Sequence, residues 1–524
     1  EYGCHVPQCF CDASAAAFRR WLQARYGSLD RFNDAWGTAF WSQHYSDWEE
    51  VLPPRSTPAH PNPTQQLDWW RFSSDELLDC FRAERDALRE LTPDIPVTTN
   101  FLGMLKQLDY FSWAGEEDVV SNDHYLIGED PTGHIHLSMT ADLVRGLADG
   151  GPWALMEHST SAVNWQPRNL AKQPGQLRRN SLQHVARGAD AVCFFQWRAS
   201  RSGAEKFHSG MLPHAGTDTK VWREVVELGG NLRALAEVAG STVESDVAIV
   251  FDWPAWWAVE LDSHPSTDVE YLPLVRDMYE ALWRQGVTVD FVPPDRDLSR
   301  YKLVVVPSLY LVSDAAAANL AQYVSAGGQL VCGFFSGIVD VDDAIRLGGY
   351  PGAFKELLGL RIEEFFPLRQ AETVALSDGG TGSIWTEALH TEAADVVARY
   401  VDGPLAGWPA RTRNRFGSGT AHYLSTRHDP ATLAGVLSQI CDQAGASSPI
   451  IAPAGVERVR RRDPSSNTSY LFVINHTERE VDLVVAGVAL VGGVAINDPA
   501  DGHVVVPPGG VTVLKESPTA PRKE

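Results

Sequence analysis

No apolar run in this chain approaches the roughly 20 residues that a membrane-spanning helix requires. Positive charge is in short supply: 44 Lys and Arg stand against 67 Asp and Glu, a formal charge of -23 over 524 residues. That acidic balance argues against nucleic acid and anionic membrane as partners, because both bind through gathered cations. Cysteine is sparse. Seven residues, odd in number and scattered, fit a reducing compartment better than a disulfide framework. The sequence starts without Met and displays no signal peptide, and the expected location is the cytoplasm. No G-x-G-x-x-G or P-loop follows the strand-like run Val247–Phe251, so nucleotide binding has no support there.

What remains is an ordinary globular composition, 44% hydrophobic and 21% charged. The length suggests about three domains. Residues 1–243 alternate strand-like and helical stretches. Ile95–Asn100, Asp118–Asp123, Pro152–Glu157 and Ala189–Phe195 read as strands. Ala15–Tyr26, Leu67–Leu91, Thr140–Ala148, Ser181–Arg187 and Asp218–Ala239 read as helices. Strand–helix repetition implies parallel pairing. Four such strands look like the second half of an eight-stranded α/β barrel of the TIM type. Functional residues of that fold sit just past the strand C-termini, where Asn100, Asp123, Glu157 and Gln196 fall.

A second, doubly wound α/β domain is expected over 244–450. Its strands are Val247–Phe251, Val287–Phe291, Leu303–Val306 and Gln329–Gly333, with helices at Val269–Gln285 and Asp314–Ser325. Gly417–Thr420 reads as a turn before another strand. From 451 to 516 short, turn-punctuated runs predict a small β-sandwich, and 517–524 a solvated tail.

Two carboxylates stand out. Glu157 ends the apolar run Pro152–Met156, and Glu1 opens Glu1-Tyr2-Gly3. A carboxylate at the end of a buried strand must find a partner. The plain reading is a structural ion pair. The functional one is a retaining glycosidase, in which one carboxyl protonates the leaving oxygen and the other attacks the anomeric carbon. The 17 Trp suit sugar faces, although core packing accounts for most tryptophans.

The words Glu1-Tyr2-Gly3, Trp36-Gly37, Phe40-Trp41-Ser42-Gln43, Met156-Glu157-His158, Val163-Asn164-Trp165 and Glu205-Lys206-Phe207-His208 occur in that order. On them the chain resembles the β-galactosidases of glycoside hydrolase family 42 along its whole length. The resemblance implies Glu1 as proton donor and general base after the fourth barrel strand. It implies Glu157 as nucleophile after the seventh. Trp41, Tyr125 and Trp165 match aromatic sugar-site positions, and Tyr125 would hydrogen-bond the nucleophile and favour its ionised form. Glu205 and His208 match positions that bind galactose hydroxyls. For the aromatics and His208 the plainer readings are core packing and a surface imidazole.

The resemblance also implies a start inside the active-site motif, with about half a barrel upstream. The family's Asn before the acid/base Glu and its upstream Arg are not in this chain. No redox cofactor is implied. Zinc is not expected: Cys9 and Cys11 match two positions of a C-x-C-x-x-C triplet, and Ser14 replaces the third. A galactoside or galacto-oligosaccharide is the implied substrate, and a homotrimer through 244–450 the implied assembly. The alternatives are an α-L-arabinopyranosidase on the same site and a catalytically dead carbohydrate-binding or assembly fragment.

Overall fold

The computed structural model describes residues 2–6, 8–492, 494–495 and 502–516. Glu1 and the tail 517–524 lie outside the described residues.

The N-terminal region contains helices α1 (Asp12–Tyr26), α2 (Leu29–Trp36) and α3 (Pro63–Leu91). Strand β1 (Asn100–Phe101), helix α4 (Tyr110–Ala114), β2 (Ser121–His124), α5 (Gly133–Leu147), β3 (Trp153–His158), α6 (Gln176–Ala186), β4 (Ala189–Val192) and α7 (Lys220–Ala234) follow. The four strands form one sheet in the order β1-β2-β3-β4, every pair parallel. This is four units of a barrel with all strand C-termini on one side, as the sequence predicts. The long α3 starts where Asn62 accepts the Gln65 N–H and Pro63 presets the first turn.

Three expectations change at their edges. Ile95–Asn100 contributes only Asn100 to a ladder. Pro96 has no N–H to donate, and Val97 instead exchanges hydrogen bonds with Asp118. That engagement of Asp118 leaves Ser121–His124 as the second strand. Asp218–Ala239 is not one helix: Thr219 caps α7 at Trp222 N, and a short 3-10 turn covers Ala236–Val238.

The middle region holds a seven-stranded sheet. Gly419–Leu424, Gln329–Gly333, Leu303–Val306, Val247–Val250 and Val289–Val292 lie side by side in parallel. Pro409–Phe416 and Asp395–Arg399 extend it antiparallel. Of Gly417–Thr420, Gly417 and Ser418 make the turn, with Gly417 at φ 60°, while Gly419 and Thr420 already pair in the strand opposite Phe416 and Arg415. Leu360–Pro367 and Trp385–Thr391 form a further antiparallel pair. The C-terminal region packs a five-stranded sheet against a three-stranded one, with Leu471, Val473, Leu483 and Val506 buried between. Thr242–Val243 pairs with Arg461–Arg462, so the end of the expected first domain is an edge strand of the last.

The three regions meet at α5. Gly146 approaches the Phe291 carbonyl so closely that a Cβ would stand 2.1 Å from its oxygen. Around that contact lies a buried ionic network. Asp142 pairs with Arg145 and Arg187 and accepts from Tyr279 Oη at 2.6 Å. Arg145 reaches Asp290 at 2.8 Å. Arg187 donates to Glu457 at 2.7 Å, and Gln183 and His476 complete the Glu457 carboxylate. Burial alone would raise the Glu457 pKa, but Arg187 and His476 overcome it and draw the carboxyl down to about 2.

Candidate active site

Strand β2 reads Ser121-Asn122-Asp123-His124, and all four residues are buried. An entirely polar buried strand needs a partner for each group. Asn122 Oδ1 accepts from Gly103 N at 2.7 Å, and Asn100 donates to the Asp123 carboxylate. The next residue, Tyr125, crosses to the neighbouring strand end. Its hydroxyl donates to Glu157 Oε2 at 2.5 Å. Glu157 is half-buried at the end of β3, in register with Asp123. The partner that the sequence demands for this carboxylate is therefore a phenol. A charge-assisted bond of this kind orients one carboxylate oxygen and leaves the other to react.

Two rings wall this pair. Trp165 meets Tyr125 edge-on with centroids 4.8 Å apart, and His208 does so at 5.8 Å. Trp165 and His208 stand 5.2 Å apart at 30°. Trp165 is half-exposed. His208 is 1% exposed, so it is not a surface imidazole. Its Nδ1 donates to the Ser209 carbonyl at 2.9 Å, which leaves the buried Nε2 without a partner. Glu205 holds the turn through its carbonyl, which accepts His208 N at 2.9 Å.

The structure thus gathers Glu157, Tyr125, Trp165 and His208. Trp41 is not in contact with them: among the described residues its ring meets only Phe40. It is exposed and adopts φ 53°, as Ser42 adopts φ 56°. Left-handed backbone at a tryptophan is strained. Glu1 lies outside the described residues.

Two polar groups went unread as binding groups in the sequence. Asn164 Oδ1 and Gln196 Nε2 are buried with no partner, and Phe195 packs edge-on against His208 at 5.0 Å. The signal for Gln196 was its place past β4; for Asn164, nothing beyond its adjacency to Trp165. At the N-terminus, Cys9 Sγ lies 3.4 Å from Cys11 Sγ, which is 3.5 Å from Ser14 Oγ. These are the two triplet positions that the sequence offers, with Ser14 at the third.

Comparison with known proteins shows the family. A β-galactosidase model of glycoside hydrolase family 42 matches residues 1–235, the β-galactosidase trimerisation domain 245–447, and the β-galactosidase C-terminal domain 455–516. A β-galactosidase of Arthrobacter sp is 52% identical over 495 residues, 94% of this chain and 71% of the relative. BgaB of Geobacillus kaustophilus is 43% identical over 489 residues, 92% and 72%. The crystal structure of a β-galactosidase from Bacillus circulans sp. alkalophilus superposes with TM-score 0.92 at 38% identity, covering 97% of this chain and 77% of that one. With a barrel region, a middle α/β domain and a β-sandwich in the order of all three family models, the chain belongs to the β-galactosidases of glycoside hydrolase family 42.

Proposed function

We propose that the chain carries both carboxyl groups of a retaining β-galactosidase site, with Glu157 attacking the anomeric carbon of a terminal galactose. The observation that carries this reading is the 2.5 Å bond from Tyr125 to Glu157 at a strand C-terminus, beneath Trp165 and the unpartnered His208 Nε2. Glu1 acts as the proton donor. It protonates the departing oxygen while Glu157 forms a galactosyl ester, and then takes a proton from the water that cleaves that ester. In the retaining geometry the two carboxyl groups stand about 5–5.5 Å apart.

His208 Nε2, Asn164 Oδ1 and Gln196 Nε2 supply acceptors and donors for sugar hydroxyls. A sugar lacking a matching hydroxyl would leave these groups buried and unpaired, which is how such a site discriminates. Trp165 and the strained Trp41 offer apolar ring faces, and Glu205 a hydroxyl acceptor. The reaction needs no cofactor, since both proton and electron-pair transfers are assigned to carboxyls. The match of 245–447 to a trimerisation domain supports a homotrimer. Sedimentation as a stable monomer at micromolar concentration would remove that part.

The test is hydrolysis of a chromogenic β-galactoside, with the matching α-L-arabinopyranoside alongside. It should be run on this chain and on the same chain joined to the part of the Arthrobacter relative that it does not match. Activity that disappears in Glu157→Gln supports the assignment. Hydrolysis that survives the substitution rejects it.

A further inference from the structure

Beside the proposed nucleophile lies a cluster of three imidazoles that hydrolysis does not use. His124 ends β2 and precedes Tyr125; His158 ends β3 and follows Glu157; His184 lies in the last turn of α6. All three are buried. One ring nitrogen from each lies within 4.8 Å of the other two.

The hydrogen bonds around them fix where lone pairs are available. His158 Nδ1 stands 3.1 Å from the His124 carbonyl. A carbonyl only accepts, so the proton sits on Nδ1 and Nε2 carries the lone pair. A backbone carbonyl on the far nitrogen is the usual way in which a metal-binding histidine is oriented. His184 has no partner at either ring nitrogen, and His124 has none at Nδ1. Each neutral ring must place a lone pair on one of its nitrogens. Neutral imidazole is the ligating form.

We propose that His124, His158 and His184 bind one divalent transition metal of the zinc class, tying the ends of β2 and β3 to α6. An all-imidazole set without carboxylates selects zinc, copper or nickel over magnesium or calcium. Three histidines with water in the fourth position is an established zinc geometry. Metal–nitrogen bonds of about 2.1 Å require the rings to draw together by roughly an ångström. The cation now nearest the His158 lone pair is Lys172 Nζ, at 3.2 Å. Lys172 also donates to the Ser159 carbonyl and so retains an acceptor when it yields the ring. The ion would fix the strand ends that carry Tyr125 and Glu157, at a place separate from the Cys9–Cys11 pair.

The test uses the full chain expressed with added zinc and dialysed free of loose metal. Metal content is read by elemental analysis, and ligand type by X-ray absorption at the zinc edge, which needs no variant. About one zinc per chain in a nitrogen and oxygen shell is expected, unchanged in Cys9→Ser/Cys11→Ser. His184→Asn, compared at equal melting temperature in the presence of chelator, should lose affinity by at least about 100-fold. A sulfur shell, metal lost with the cysteines, or a chain free of metal with the three rings holding only water overturns the proposal.

Discussion

The mouth of the proposed catalytic site and the junction at α5 are both built from buried polar residues, yet they are finished in opposite ways. At the junction the carboxylates and guanidiniums of Asp142, Arg145, Arg187, Asp290 and Glu457 pair with one another. At the mouth, His208 Nε2, Asn164 Oδ1 and Gln196 Nε2 are buried and unpaired. An unsatisfied buried group costs about 1–3 kcal/mol. The charged groups of the junction are paired, while the mouth keeps open three atoms that the proposed function assigns to sugar hydroxyls. The junction therefore reads as stability and the mouth as recognition, although their composition is similar.

Substitutions at the two regions should separate these roles. The largest effect is expected at Glu157→Gln, which should lower galactoside hydrolysis by at least about 1,000-fold and leave the melting temperature nearly unchanged. Next comes Asp142→Ala. It removes the carboxylate that Arg145 and Arg187 share, leaving each buried guanidinium with one remaining partner, Asp290 or Glu457, and should cost about 3 kcal/mol in denaturant unfolding, with little change in KM for the folded fraction. Tyr125→Phe removes a hydrogen bond to a carboxylate. It should lower kcat/KM by about 10- to 100-fold, again without loss of stability. The smallest effect belongs to His208→Ala, about a tenfold rise in KM. A loss of stability without a change in KM at His208 would erase the contrast.

The junction also predicts a pH dependence. The folded Glu457 carboxyl titrates at about 2, below its ordinary 4.5. Its contribution is therefore present above about pH 4.5 and lost as pH falls toward 2. Urea midpoints measured across that window should decline, and Glu457→Gln should flatten the decline while lowering stability at neutral pH.

Much of this was legible in the sequence where one interaction dominates. Leu303–Val306 and Gln329–Gly333 are uniformly apolar or nearly so, and they form strands with the bounds their pattern suggests. Leu360–Pro367 and Pro409–Phe416 escaped, because charged residues interrupt them and the buried Thr412 and Asn414 do not look like core. Glu157 and Trp165 stand in the motif words and Tyr125 came with the family resemblance; the structure brings the three together. That His208 is buried with an open nitrogen was not readable in the sequence, since burial arises from Phe195, Trp165 and Tyr125 closing around it. The orphan groups of Asn164 and Gln196 were invisible for the same reason: a missing partner is a property of three-dimensional packing.

The central claim is that Glu157, oriented by Tyr125, is the nucleophile. Its most direct test is to incubate the active protein with a 2-fluoro galactoside bearing a good leaving group, which slows hydrolysis of the ester, and to map the adduct by peptide mass spectrometry. The account predicts one fluorogalactosyl group per chain on Glu157. A label on another carboxylate, or inactivation without any covalent adduct, would contradict it.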